Sequence, residues 1–379
     1  MTGSITRAPY KSSMSFIARN GQDSAPPSRL LRVWLLVLFK LVALMVVVGG
    51  LTRLTDSGLS ITEWAPIRGA LPPLSAEAWQ QEFLRYQEIP EYVIQNAGMS
   101  LEEFKTIYWW EWGHRQLGRV VGIVWFFGFV GLSLKGTLNR TWVLRMVILG
   151  ALGGLQGFVG WWMVSSGLEE GMLDVASYRL ATHLGLAFAI LGLITWYLAD
   201  LRPAAASSQV TRETINIGIR RASKVLLVLI FCQILLGALV AGIDAGRSFT
   251  EWPLMGGQFF PATAFDIAPL WRNFFENPGL VQFIHRIFGY AVFIATLLYV
   301  IAMLSKHGLR QSRTSIVVFG SILLQMLVGI VTVLSAAHLH VAITHQALAI
   351  AIWVLIVSET HRVQQLSGFG GPKMRASAN

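Results

Sequence analysis

Long apolar runs alternating with short polar stretches set the layout of this chain. Eight runs meet or approach the roughly 20 apolar residues that a helix needs to cross a hydrocarbon core about 30 Å thick. Their centres fall near Leu41, Ile123, Gly153, Ala189, Ile230, Phe293, Leu324 and Ala351. The pattern predicts an all-α integral membrane protein with eight transmembrane helices.

Composition agrees, with 54% of the 379 residues hydrophobic and 13% charged, too apolar for a soluble domain of that length. The formal charge of +10 raises the question of nucleic acid, but the basic residues gather in particular loops and form no aromatic-interleaved patch. The expected partner is the lipid bilayer, not nucleic acid. Arg29 and Arg32, Lys135, Arg140 and Arg145, Arg212, Arg220, Arg221 and Lys224, Lys306, Arg310 and Arg313, then Arg362, Lys373 and Arg375 fall on one side of an eight-span layout. Most acids, including Asp56, Glu63, Glu77, Glu82, Glu102, Glu103, Glu169, Glu170, Asp174, Asp244, Glu251 and Asp266, fall on the other. The positive-inside rule then places both termini in the cytoplasm.

The tail before the first span carries Arg7, Lys11 and Arg19 among serines, with Asp23 as its one acid, a composition that an organelle transit peptide shares. It is short, broken by Pro26 and Pro27, and has no clear amphipathic period. The expected location is therefore a bacterial inner membrane in preference to a mitochondrial one. The only cysteine, Cys232, leaves no intrachain disulfide and no Cys-based metal site.

The chain also repeats itself. "TDSGLSITEWAP" from Thr55 matches "IDAGRSFTEWPL" from Ile243 at one constant offset, pairing Asp56 with Asp244, Ser60 with Ser248, Glu63 with Glu251 and Trp64 with Trp252. His114-Arg115 with Gly118 matches His285-Arg286 with Gly289. Leu155-Gln156 with Gly160 matches Leu324-Gln325 with Gly329, and Thr182-His183 matches Thr344-His345. Two tandem pseudo-symmetric four-helix bundles follow, in the same orientation because each holds an even number of spans. The expected divisions are a cytoplasmic tail over 1–32, an N-terminal half over 33–200 with an outward loop over 53–110, a cytoplasmic linker over 201–221, a C-terminal half over 222–360 and a cytoplasmic tail over 361–379. The stretch from Leu74 to Tyr108 has no counterpart in the second half. Trp79, Phe83, Tyr86 and Tyr92 interleave there with acids at helical spacing, which predicts one or two short amphipathic helices on the membrane surface. Gly150, Gly153 and Gly154 would permit close packing within the chain or in a homo-oligomer.

Each half contributes two intramembrane histidines, His114 with His183 and His285 with His345, all in the outer leaflet of this layout. His114 and His285 are expected within the first turns or so of their helices. A single membrane histidine usually serves as a hydrogen-bonding group between helices. A repeated pair on neighbouring helices instead suits the two axial nitrogens of a haem iron, and two pairs suit two haems. His338 and His340 lack counterparts and read as loop residues, while His307 and His361 fall on the cytoplasmic side with no evident partners. Arg115 and Arg286 are candidates for haem propionate contacts, against the alternative of snorkelling to headgroups. Glu111 breaks the symmetry. It stands three residues before His114, on the same helix face, where the position before His285 is Gln282. The plainer alternative is a solvated acid at a helix start. If the carboxylate is functional, the first site does chemistry and the second does not.

These features together resemble the heme A synthase family: two four-helix halves, "GLTRLTDSGLSITEW", Glu111 with His114-Arg115, then His183, His285-Arg286 and His345. The resemblance covers nearly the whole chain beyond the N-terminal tail. It implies conversion of haem O to haem A, by successive hydroxylations of the C8 methyl to a formyl group, for the terminal cytochrome oxidases. By that resemblance His114 and His183 hold the substrate haem, His285 and His345 hold a haem b cofactor, and Glu111 is the acidic catalytic residue. The substrate donor would be the haem O synthase and the product acceptor the cytochrome oxidase assembly route, with the electron acceptor unknown. Iron with both axial positions filled by histidine cannot bind dioxygen unless one ligand leaves. Oxidation at the ring edge is then attractive, with electrons passing to haem b and Glu111 stabilising positive charge or taking up a proton while water attacks. Some members carry a cysteine pair in an outward loop, and this sequence has none.

Two other classes use paired histidines. A transmembrane di-haem electron carrier, of quinol-oxidising or ferric-reductase type, places one haem near each face, whereas all four histidines here share one side. A haem transporter or assembly chaperone needs no acid beside a ligand.

Overall fold

The computed structural model describes residues 29–202 and 215–366, so the expectations for most of both tails and of the linker, including Arg212, Lys373 and Arg375, lie outside the described residues. Every named element is helical. They are α1 (Arg29–Leu54), α2 (Ala76–Gln87), α3 (Pro90–Ile94), α4 (Leu101–Leu134), α5 (Arg140–Gly167), α6 (Ser177–Asp200), α7 (Ile217–Gly242), α8 (Asn273–Glu276), α9 (Pro278–Leu334) and α10 (Leu339–Gln365). Seven of them, α1, α4, α5, α6, α7, α9 and α10, are long and apolar enough to cross a membrane.

Local chemistry fixes the helix starts. Ser100 and Glu103 form a reciprocal capping box on α4, Asn139 caps α5, and Asn277 caps α9 ahead of Pro278. Each side-chain oxygen accepts one of the amide protons that a first turn leaves unpaired. The 57-residue α9 is interrupted at Gly308, whose φ of 69° and ψ of 176° belong to a region open essentially to glycine alone. The chain doubles back there. Phe293 and Phe319 meet with ring centroids 5.3 Å apart, although 26 residues of straight helix would separate them by roughly 39 Å. Buried Glu359 of α10 clasps both arms, accepting hydrogen bonds from Tyr299 at 3.0 Å and Ser315 at 2.7 Å.

The apolar core runs through all of the long helices. The two halves of the sequence meet through α1 and α6 on one side and α7 and α10 on the other. Trp353 of α10 donates to the Phe188 carbonyl of α6 at 2.7 Å, and Gln346 of α10 donates to the Val46 carbonyl of α1 at 2.7 Å. Gly150 is used within the chain, because a side chain there would collide with Trp125.

The outward loop differs from expectation in what its aromatic face meets. Short helices form, but Trp79, Phe83 and Tyr86 pack on Tyr108 and Phe104 of α4, with centroids 4.9 Å, 5.1 Å and 5.3 Å apart. These residues join Leu59, Ile89 and Val175 in a small core of their own. The reason lies in the length of α4, which begins at Leu101, so that a protein surface is available to the apolar face of α2. His114 accordingly lies nearly four turns into its helix and not in the first.

Candidate functional site

Both halves build around their histidines in the same way. The ring of each lies against a glycine on a neighbouring helix. A Cβ on Gly49 of α1 would stand 2.8 Å from Cε1 of His114, and one on Gly160 of α5 would stand 2.8 Å from Cε1 of His183. In the second half Gly237 of α7 faces His285 at 3.1 Å, and Gly329 in the second arm of α9 faces His345 at 2.9 Å. Any larger residue would push the imidazole out of its notch. His114 lies within electrostatic reach of His183, and His285 of His345.

Three of the four have a glutamine beside them. Gln156, Gln233 and Gln325 donate Nε2 to the main-chain carbonyls of His183, His285 and His345 at 3.0 Å, 3.1 Å and 3.0 Å. The same Nε2 lies 3.2 Å from Nδ1 of His183 and 3.1 Å from Nδ1 of His285, and 3.3 Å from Nε2 of His345. Gln156 and Gln325 belong to the sequence repeat. Gln233 does not stand out there, although it lies four residues before Gly237 as they lie before Gly160 and Gly329. That shared spacing is the signal that could have found it.

Glu111 is not a solvated helix-start acid. It is 3% exposed, and both oxygens are engaged. Oε1 accepts from Arg115 Nε at 3.0 Å and Nη2 at 2.6 Å, while Oε2 accepts from Ser60 Oγ and the Ile61 amide, both at 2.7 Å. Arg115 also donates to the Ile61 and Glu63 carbonyls at 2.7 Å and 3.1 Å. The repeated "TEW" segment is therefore strapped to α4 by an ion pair. In the second half Arg286 donates to the Phe249 and Leu254 carbonyls at 3.1 Å and 3.2 Å, and Gln282 donates to Phe249 at 3.1 Å. Phe249 is the repeat counterpart of Ile61, so the frame is kept while the carboxylate is replaced. Both arginines bind their own loops here, and neither is free in the way a pure propionate ligand would be.

The remaining histidines need two corrections. His340 belongs to the first turn of α10, with His338 as its N-cap residue, because the helix starts directly after a short turn. His361 has a partner: its Nε2 lies 2.7 Å from Asp200 of α6, which also pairs with Arg145 at 3.0 Å. No sequence pattern hints at this pairing, since the two residues are 161 positions apart. On the opposite face, Arg53 joins Asp56, Asp174 and Asp244 at 2.9 Å, 3.2 Å and 3.0 Å. The repeat-related Asp56 and Asp244 share the left-handed backbone, with φ of 49° at each. Burial pushes the Asp174 carboxyl up to about 6.

These residues fit haem groups. Nδ1 of His114 and of His345, and Oε1 of Gln156, Gln233 and Gln325, are buried without hydrogen-bond partners among the described residues. Buried imidazoles with unpaired ring nitrogens offer the kind of donor that a haem iron takes.

Comparison with known proteins agrees. The COX15-CtaA family, described as cytochrome oxidase assembly protein, matches residues 32–357. A Ruegeria protein named heme A synthase is 55% identical over 330 residues, which cover 86% of each chain. Heme A synthases of Roseobacter denitrificans and Dinoroseobacter shibae are each 54% identical, over 89% and 92% of this chain and 88% and 89% of theirs.

Proposed function

The chain belongs to the COX15-CtaA family of cytochrome oxidase assembly proteins, and from that premise we propose that it is a bacterial membrane heme A synthase, an oxidoreductase converting haem O to haem A. Eight spans arranged as two tandem four-helix halves suit the doubling back of α9 at Gly308, and both termini are then cytoplasmic. His114 and His183 hold the substrate haem, and His285 and His345 hold a haem b. When bound, the haem b supplies a one-electron acceptor in the half without a carboxylate.

The observation that carries the reading is a shared frame with one chemical difference. The straps at Arg115 and Arg286, the glycine notches and the histidine pairs recur, and only the first half has a buried carboxylate one turn from its histidine. Glu111 is held by Ser60, Ile61 and Arg115, so its negative charge is fixed in place before substrate arrives. A preorganised charge of this kind stabilises positive charge that develops at the substrate methyl carbon, and its oxygens can receive the proton lost there. Arg115 and Arg286 reach propionates by exchanging carbonyl partners for them.

The test is Glu111→Gln, which copies the arrangement already present at Gln282 and so preserves the fold. The expected protein retains both haems and makes little or no haem A. Undiminished haem A with both haems present would remove Glu111 from the mechanism. An electron carrier or chaperone is distinguished by expression with a haem O source, since neither would yield a formyl haem.

A further inference from the structure

The glutamines beside the histidines carry an inference that rests on the ligand assignment above. One turn before the glycine that receives each ring stands Gln156 for His183, Gln233 for His285 and Gln325 for His345. One turn before Gly49, the glycine facing His114, stands Met45. The two side chains occupy the same place in their halves. A Cβ on Gly118, one turn after His114, would lie 3.3 Å from Met45 Cε, and one on Gly289, one turn after His285, would lie 3.2 Å from Gln233 Nε2.

The difference is chemical. An amide donates Nε2 to the histidine's own carbonyl and sets the same nitrogen against the ring, so the main chain and the imidazole of the ligand are held from one point. Contacts of this kind around a metal-binding histidine fix its orientation, and removing one typically costs about 10- to 100-fold in affinity for the metal. A thioether donates nothing and accepts weakly. Met45 has no donor for the His114 carbonyl and cannot provide what Gln233 provides.

We propose that Gln156, Gln233 and Gln325 are positioning residues for their histidines, and that Met45 leaves His114 as the releasable axial ligand of the first site. The consequence suits an enzyme whose substrate and product are both haems. The first site must take in haem O and let haem A go, so one weakly held ligand is an advantage there. The second site keeps its haem through every turnover, and both of its histidines are held.

The experiment compares Met45→Gln, Met45→Leu and Gln233→Met with wild type as full-length haem-loaded protein in detergent, beside His114→Ala and His285→Ala. Haem transfer to excess apomyoglobin gives a release rate, pyridine spectra identify which haem leaves, and optical redox titration gives each midpoint potential. Met45→Gln is expected to slow release of the first-site haem about tenfold, the low end of the usual effect of an outer partner, and to shift its potential downward because a more firmly held imidazole favours ferric iron. Gln233→Met is expected to speed release of the other haem about tenfold and shift its potential upward, and Met45→Leu to behave as wild type. Each side chain already fills the equivalent place in one half, so the exchanged variants fit. If the two alanine variants each lose one haem while Met45→Gln and Gln233→Met release and titrate like wild type, the positioning role is overturned and the ligand assignment stands. If His114→Ala or His285→Ala keeps both haems, the ligand assignment itself falls.

Discussion

The buried carboxyl of Glu91 makes the outward cap sensitive to pH, with a size that follows from its surroundings. Glu91 is 4% exposed and accepts hydrogen bonds from Tyr86 at 3.0 Å and Asn96 at 3.4 Å. Burial, with smaller contributions from the charges of Asp174, Asp56 and Glu111, pushes its pKa from the ordinary 4.5 up to about 7, against the lowering effect of the Tyr86 bond. The folded cap therefore holds a proton that the unfolded segment releases near pH 4.5. Stability is fully present below that value and is lost as pH rises through about 7. At about 1.4 kcal/mol for each pH unit between the folded and unfolded values, the loss is about 3.5 kcal/mol, or roughly three-hundredfold in the local opening equilibrium. Hydrogen exchange of residues 76–108 between pH 4.5 and 7.5, corrected for intrinsic rates, measures it. Glu91→Gln retains an acceptor for Tyr86 and has no proton to lose, so its exchange should be nearly independent of pH once the shared contribution of Asp174 and Asp56 is subtracted. Parallel pH profiles for wild type and Glu91→Gln would refute the assignment.

Three further outcomes follow from contacts already described. Gly49→Ala places a methyl 2.8 Å from the His114 ring, roughly 0.6 Å inside ordinary contact, whereas Gly237→Ala places one 3.1 Å from His285. Haem analysis should show the first variant losing its haem more completely than the second. Glu359→Ala removes the buried acceptor of Tyr299 and Ser315 and leaves the partly exposed Arg362, which pairs with that carboxylate at 2.8 Å, with the Gln311 carbonyl as its remaining acceptor. Thermal unfolding in detergent should show a loss of about 2–4 kcal/mol, from two buried hydroxyls left without an acceptor, and Glu359→Gln a smaller one. Gly308→Ala forces a side chain into a glycine-only conformation, so it should cost about 1–3 kcal/mol while haem content stays unchanged.

Much of the fold and the site is legible in the sequence, for physical reasons. A bilayer imposes length and apolarity on every crossing segment, so the spans announce themselves. Duplication labels the histidines, because a coincidence would not repeat them with Arg115 and Arg286 attached. Hydropathy does not reveal tertiary partners. The aromatic residues around Trp79 have the same spacing whether they meet lipid or protein, and α4 extends far enough to cover them. His361 reads as an isolated cytoplasmic residue until α6 delivers Asp200 to it. Gln233 is hidden differently. Its counterpart in the first half is Met45, so comparing the halves for identity passes over the position where their difference matters.

The two departures from symmetry both fall around His114 and act in the same direction. At the outer rim Glu111 neutralises Arg115, whereas Arg286 has carbonyl partners, an unpartnered Nε and no ion pair among the described residues. An uncompensated guanidinium favours an added electron nearby, and a compensated one does so less. At the other side of the ring, Met45 withholds the amide that Gln233 gives His285. On the proposed assignment the second half keeps its haem and accepts electrons, and the first holds its haem less firmly beside an ion-paired carboxylate. Direction of electron flow and direction of haem traffic then arise from the same small set of substitutions on a duplicated frame.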